Sequence, residues 1–494
     1  MLLAFIILYL MGTVAIGWMA SRRVKSTADF VVAGRNLPTA MAAAALFATW
    51  FGSETVLGAP AVFLEGGLLG VIEDPFGAAL CLFLVGLVFA RPLYRLNILT
   101  FNDFFRLRFG RFTEVASAFF IIPSYFGWIA AQLVALAILL HTLTDLPMGY
   151  GIVLCMLVVL FYTYIGGMWA VSITDFVQTI MILIGMVAIA AVLWWRVGGA
   201  EPILAGLPDG FFRFFPERDF NAWVHYLAAW ITIGLGSIPQ QDVFQRVMAA
   251  KSERVAVRAA YLSSFMYLTI GAIPLFIGLM GKVLYPDIMK GDPQMVIPRM
   301  VLQHGGMALQ VLFFGALLSA ILSTASGAVL APATVMGENL IRPLLKKPTD
   351  AGMLRIMRLC VVFVAVCSAI MAGIKSNIYE LVGQASALSL VSLFVPMTAG
   401  LYLKRASNTG AVWSIFLGMA AWIAVEFFHP LETPALIVGL LASIAGMVLG
   451  SLFFPDDSYH RFQREKAWLQ ENRDIPFDPH AAEEATKLPP SQPI

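Results

Sequence analysis

The chain has 494 residues, of which 60% are apolar and only 13% charged, about half the charged fraction of an ordinary soluble protein. Its 32 basic and 30 acidic residues leave a net charge of +2, which carries no signal for nucleic acid, and no nucleic-acid partner is expected. A soluble chain of this length shows far more charge to water, so the composition is that of a polytopic membrane protein.

Apolar stretches long enough to cross a bilayer as helices fall near 2–20, 38–64, 70–90, 114–141, 149–166, 171–195, 222–242, 259–283, 306–336, 356–375, 378–401, 409–428 and 434–454. Each is expected to be helical, because backbone groups in lipid must be satisfied within their own segment. The first run has no small-residue cleavage site after it and is read as a retained span rather than a signal peptide. Placing the N-terminus outside puts 25 of the 32 Lys and Arg in loops or tail on the cytoplasmic side and 7 outside or at outer ends. That asymmetry predicts thirteen spans with a cytoplasmic C-terminus. Loops 196–221 and 284–305 are candidates to cap the outer face, and the tail from 455 reads as partly helical, then disordered. Cys81, Cys155, Cys360 and Cys367 lie inside apolar runs without metal or redox spacing and read as small buried hydrophobes.

Polar groups at membrane depth are the functional candidates. The second span reads Ala48-Thr49-Trp50-Phe51-Gly52-Ser53-Glu54-Thr55-Val56-Leu57-Gly58-Ala59-Pro60. Its glycines and proline, interleaved with hydroxyls and a carboxylate, predict a broken helix whose freed carbonyls can hold a cation. A plain Gly/Pro kink with hydroxyls bonded to the preceding turn is the alternative. The seventh span repeats the pattern in Gly234-Leu235-Gly236-Ser237-Ile238-Pro239-Gln240-Gln241-Asp242. Paired interruptions five spans apart point to an inverted-repeat secondary transporter with its site at the midplane.

On the ninth span, Ala320, Ser323 and Thr324 stand at i, i+3 and i+4, hence on one helix face. Hydroxyls beside a backbone carbonyl suit a weakly held monovalent cation, though small residues here equally suit helix packing. Asp175 follows the tight turn Ile165-Gly166-Gly167-Met168 and reads either as a cation-path carboxylate or as a helix cap. Glu73, Asp74, Gln132, Gln178 and Gln384 are further polar groups within spans, and His225 and Glu426 are expected to be wetted at outer ends.

Three segments together resemble the sodium:solute symporter family: Gly166 to Gln178, Gln245-Arg246 after the broken seventh span, and Leu318 to Thr324. The resemblance covers roughly 2–454. It implies an all-α polytopic fold of about 13 transmembrane helices, a leucine-transporter-type 5+5 inverted repeat with extra terminal helices. The segments would be a first helix and loop (1–37), a first repeat (38–196), an outer loop (197–221), a second repeat (222–401), two additional helices (402–454) and the tail (455–494). It further implies Na+ held by the carbonyls of Ala48, Phe51 and Ala320 and the hydroxyls of Ser323 and Thr324. A second sodium would use Asp175 and Ser326, but Gly327 stands where another serine is expected.

Around Trp50 and over Gly236 to Arg246 the chain is similar to the high-affinity choline carriers of that family, although Gln240 and Glu54 depart from their pattern. A small cationic or zwitterionic solute is then expected among Trp50, Ser53, Glu54, Asp74, Gln132, Gln240 and Gln241, since an indole face attracts an organic cation. The expected protein is no enzyme but a carrier of the plasma membrane, in bacteria the inner membrane, whose partners are solute and lipid. Proton coupling, in view of Glu54, Asp74 and Asp175, and a membrane sensor built on a symporter-like domain are the competing readings.

Overall fold

The computed structural model describes residues 2–471 except Lys25, 287–291, 346–348 and 429–431. Among these residues the secondary structure is helical apart from one isolated bridge between Leu37 and Ala250, so backbone polar groups are satisfied within segments as lipid demands. Among the described residues, nine helices are long and apolar enough to cross a membrane. In chain order, the helices that form the bundle and its site are α1 (Leu2–Ser21), α2 (Thr39–Ala48), α3 (Ala59–Gly70), α4 (Ile72–Tyr94), α5 (Phe101–Arg108), α6 (Arg111–Thr144), α7 (Met148–Phe161), α8 (Gly167–Val197), α9 (Phe220–Gly236), α10 (Gln241–Ala249), α11 (Glu253–Leu284), α12 (Met307–Leu344), α13 (Ala351–Ile374), α14 (Ile378–Tyr402), α15 (Asn408–Phe428), α16 (Ala435–Phe453) and α17 (Ser458–Glu471), with short helices Thr27–Val32, Glu201–Ala205 and Val296–His304 in the connections.

The interruptions fall where glycine, proline and hydroxyl residues cluster. Between α2 and α3 the regular ladder fails: Thr49 N bonds Leu46 O at 3.4 Å and Gly52 N bonds Trp50 O at 2.7 Å, and a π-helical turn over Glu54–Gly58 follows. Between α9 and α10 the helix tightens and breaks over Ser237 to Gln240, where Ile238 N bonds Leu235 O at 3.2 Å, and it then resumes to Ala249, beyond the boundary read from hydropathy. The turn at Gly167 has φ +55, and a Cβ there would stand 2.6 Å from the Phe30 ring, so glycine is required on both counts.

α12 is buried along most of its length, and its run of Ala, Ser, Gly and Thr allows close approach of α2 and α8. Loop 196–221 does reach over the broken second span: Leu68 N bonds Phe211 O at 2.9 Å, and the Phe63 and Phe211 rings meet edge to face at 5.0 Å. Loop 284–305 and the tail lie partly outside the described residues; of the tail, α17 is helical.

Three of the 25 basic residues assigned to cytoplasmic loops are instead buried. Arg106 and Arg108 lie on the short helix α5, and Arg246 lies on α10. Arg108 is satisfied by carbonyls rather than water, donating to Gly400 O, Leu403 O and Ala406 O at 2.9 to 3.1 Å and to Ser458 Oγ at 2.7 Å. Arg35, Arg95 and Lys251, from the connections after α1, α4 and α10, border one cavity.

Candidate functional site

The breaks in the second and seventh spans face a shared cavity lined by Trp50, Glu54, Asp74, Ala78, Trp128, Ile233, Ser237, Gln240, Val382, Ala385 and Ser386. Its volume is about 10 Å³, room for about one water, so an organic solute enters only when the walls part. Glu54 accepts from Gln132 Nε2 at 2.9 Å, Ser53 Oγ at 3.1 Å and Trp128 Nε1 at 3.4 Å. Asp74 accepts from Thr55 Oγ1 at 2.7 Å through Oδ2, while its Oδ1 is buried without a partner among the described residues. No Lys, Arg or His is among the lining residues, so the cavity holds two carboxylates and two indoles with no cationic side chain to offset them.

Of the expected solute residues, Trp50, Glu54, Asp74 and Gln240 line this cavity, and Ser53 and Gln132 hold Glu54 from behind. Gln241 does not join them, which corrects the expectation. Its side chain accepts from Phe101 N at 2.6 Å and reaches Leu99 O at 3.5 Å, anchoring α10 to the start of α5. The neighbouring Gln240 turns inward and donates to Ser389 Oγ at 3.3 Å. Adjacent residues at a helix start point to different sides, which the two-glutamine motif alone does not resolve.

Trp128, Ser237 and Ser386 line the cavity without having been singled out as contacts. Trp128 had a usable signal: it lies four residues before Gln132 on α6 and so shares its face. Ser386 had none, since one serine in an apolar helix has no distinguishing spacing.

Of the residues expected around sodium, Thr324 and Ala48 are in direct contact. Thr324 Oγ1 donates to Ala48 O at 2.8 Å, so the ninth-span face meets the freed carbonyl end of α2. Gly52 permits this approach, because a Cβ there would stand 2.9 Å from Gln132 Oε1 and 3.2 Å from Thr324 Oγ1. Ala320, one turn before Thr324 on α12, and Phe51, in the break after α2, are both buried. Ser323 Oγ donates to Asp175, whose other oxygen lies 3.7 Å from Arg246 Nη2. Arg246 Nε in turn donates to Ala45 O at 2.9 Å, one turn before Ala48. Hard neutral oxygens from two elements fit a small monovalent cation travelling as cargo.

Asp175 is no helix cap. It lies eight residues inside α8, and its carboxylate crosses to α12 and α10. The second-sodium set is disfavoured by the geometry: Ser326 Oγ is bonded back to Ser323 O at 2.8 Å, and a Cβ at Gly327 would stand 2.6 Å from Arg246 Nη2. The guanidinium thus takes the side-chain space of a serine at 327. Reading Arg246 as a loop charge hid this, and the signal was Asp175, a lone carboxylate at depth in want of a counter-ion.

The remaining polar candidates lie away from the cavity. Gln178 donates to Ser319 Oγ at 3.2 Å, Gln384 accepts from Lys375 Nζ at 3.1 Å, His225 is exposed beside Glu432 O at 3.0 Å, and Glu426 is exposed.

Residues 30–418 match the model of the sodium:solute symporter family. The chain belongs to that family. Among curated relatives, the high affinity choline transporter 1 of Homo sapiens is 26% identical over 448 residues, covering 85% of this chain and 75% of the relative. The osmoregulated proline transporter OpuE of Bacillus subtilis is 27% identical over 470 residues, covering 90% and 93%. A solved Na+-coupled sialic acid symporter in a substrate-bound outward-open state superposes with a TM-score of 0.79 at 19% identity, covering 92% of this chain and 98% of that one. The nucleobase-cation-symport transporter Mhp1 gives 0.56 at 16% identity. This family member therefore has the leucine-transporter-type fold, in which the two interrupted spans lie side by side.

Proposed function

We propose that this sodium-coupled solute importer carries a small organic cation, with a choline-like quaternary ammonium as the leading candidate. The observation that carries the reading is a central cavity with Glu54 and Asp74, the Trp50 and Trp128 indoles, and no basic side chain. A cation there is attracted by two carboxylates and by the quadrupole of each ring face. Similarity to choline transporters supports the same class; similarity to proline transporters keeps a zwitterion as the second reading, for which Gln240 and Ser237 would have to serve the solute carboxylate.

In this reading sodium joins α2 to α12 through the carbonyls of Ala48, Phe51 and Ala320 and the hydroxyls of Ser323 and Thr324. That arrangement fixes the broken segment carrying Trp50 and Glu54, so sodium organises the solute site. Linkage then requires solute to tighten sodium by the same factor. The layer made by Arg246 on Ala45 O, Gln241 on Phe101 N and the pairing of Leu37 with Ala250 must separate for release to the cytoplasm. One sodium and one cationic solute move two charges per cycle, about 4.6 kcal/mol per 100 mV of membrane potential. Thirteen spans with the N-terminus outside, a carrier role without catalysis, and sodium rather than proton as the coupling ion belong to this proposal.

The test is uptake of labelled choline into proteoliposomes under an inward sodium gradient, with competition by choline, glycine betaine, proline and the uncharged carbon isostere of choline. The expected order is choline first, with no competition from the isostere. Glu54→Gln is expected to weaken solute by about 2–5 kcal/mol, the cost of removing one partner of a buried charge pair. Equal competition by the uncharged isostere, or uptake driven by a proton gradient without sodium, overturns the proposal.

A further inference from the structure

A second polar cavity lies where the connections after α1, α4 and α10 meet. It has a volume of about 310 Å³ and is bordered by Arg35, Tyr94, Arg95, Asn97, Lys251, Ser252 and Glu253. Three cations thus surround one carboxylate. That carboxylate is already engaged: Arg95 donates to Glu253 through Nε at 2.8 Å and Nη2 at 3.0 Å, and Arg91 Nε lies at 4.0 Å. Arg35 and Lys251 add two further cationic side chains to the same lining.

Arg35 is held in place. Its Nη2 donates to Ile98 O at 3.0 Å, and its guanidinium carbon lies 5.7 Å from the centre of the Tyr94 ring. Tyr94 is itself fixed by a hydroxyl bond to Ala250 O at 2.8 Å. Lys251 is different: its backbone pairs with Leu37 O at 3.0 Å, whereas its side chain forms no hydrogen bond or ion pair with a described residue. Ser252 caps the N-terminus of α11, whose positive end adjoins the same space. Two lining residues that are not glycine have left-handed backbone, Arg35 with φ +56 and Asn97 with φ +57. Such conformations persist where surrounding structure enforces them, and they concentrate at ligand sites.

From this geometry we propose that the cavity between Arg35, Arg95 and Lys251 binds a phosphate group, soluble or on the headgroup of an anionic lipid. Guanidinium groups, an ammonium and a helix N-terminus are the donors a phosphate takes. Basic pockets between membrane helices on the inner side take lipid phosphates for the same reason. The bound group bridges Arg35, just before α2, to Lys251, just after α10. It thereby reinforces the backbone pairing of Leu37 with Ala249 and Lys251, which joins the ends of the two interrupted spans. The site is independent of which solute the carrier moves.

Thermal unfolding of the detergent-solubilised full chain tests this, with titrations of dihexanoyl phosphatidic acid, inorganic phosphate, dihexanoyl phosphatidylcholine and chloride at matched ionic strength. Phosphatidic acid or inorganic phosphate is expected to raise the melting temperature, and phosphatidylcholine and chloride are not. A shift with both identifies a site open to soluble phosphate; a shift with phosphatidic acid alone identifies the headgroup as the source. Lys251→Gln, which leaves the backbone pairing intact, is expected to weaken the response about tenfold, the loss of one charge-assisted contact. Lys404→Gln on a separate exposed turn should respond as wild type. Lys251→Glu, read by native mass spectrometry for retained phosphatidic acid, gives a second measurement that does not rely on melting. The proposal is overturned if neither phosphate source exceeds chloride, or if both Lys251 variants bind as wild type does.

Discussion

Thr324→Ala probes the link between sodium and the broken second span. Thr324 Oγ1 is buried and 2.8 Å from Ala48 O, so the change removes one hydroxyl from the point where α12 meets α2. If that hydroxyl binds cargo sodium, losing one oxygen contact to a cation costs about 1.5–3 kcal/mol, or a rise of about tenfold to a hundredfold in half-saturating sodium. If it serves packing alone, the cost is about 1 kcal/mol of stability and sodium dependence is unchanged. Initial uptake rate against sodium concentration in proteoliposomes separates the two. Linkage adds a second signature, weakened solute binding at low sodium that recovers at saturating sodium. Thr324→Ser should restore most of the sodium affinity. Pairing the change with Ser323→Ala should weaken sodium further, though not additively, since the residues are neighbours. A double variant with wild-type sodium dependence refutes the assignment of both hydroxyls.

Other parts of the structure make separate demands. Gly327→Ser should displace Arg246 from Asp175, costing about 1–3 kcal/mol through overpacking; a melting temperature and transport rate equal to wild type would show that Arg246 lies elsewhere. Gly67 has φ +63, and a Cβ there would stand 2.4 Å from Phe211 O, so Gly67→Ala should cost about 1–3 kcal/mol and loosen the outer loop. Limited proteolysis within 196–221 should then speed up, and an unchanged rate contradicts the capping contact. Arg108→Met leaves three carbonyls and a serine without their donor and should destabilise by about 3 kcal/mol or more, read as thermal melting; tolerance would contradict the buried anchor.

Much of the fold was legible because lipid leaves few choices. A long apolar run must be helical, and the chain's helices follow those runs. The breaks were legible too, because Gly52, Gly58, Pro60, Gly236 and Pro239 interrupt otherwise continuous spans. Helical spacing placed Ser323 and Thr324 together on one buried helix, but not that one hydroxyl would turn to Asp175 and the other to Ala48 O. What one span does to another was not legible. Gln240 and Gln241 are chemically identical neighbours, yet one lines the cavity and the other anchors a connection, because their direction depends on where α10 begins.

By itself the sequence determined that the chain lives in lipid, where its helices run, and which polar groups are kept at depth. Only the tertiary structure decided what those groups do. It brought Trp128 and Asp74 into one cavity with Trp50 and Glu54, and it gave Asp175 a partner in Arg246 from another element. Local backbone satisfaction is settled within each segment, whereas the cost of a buried charge is settled by whatever other segments bring to it.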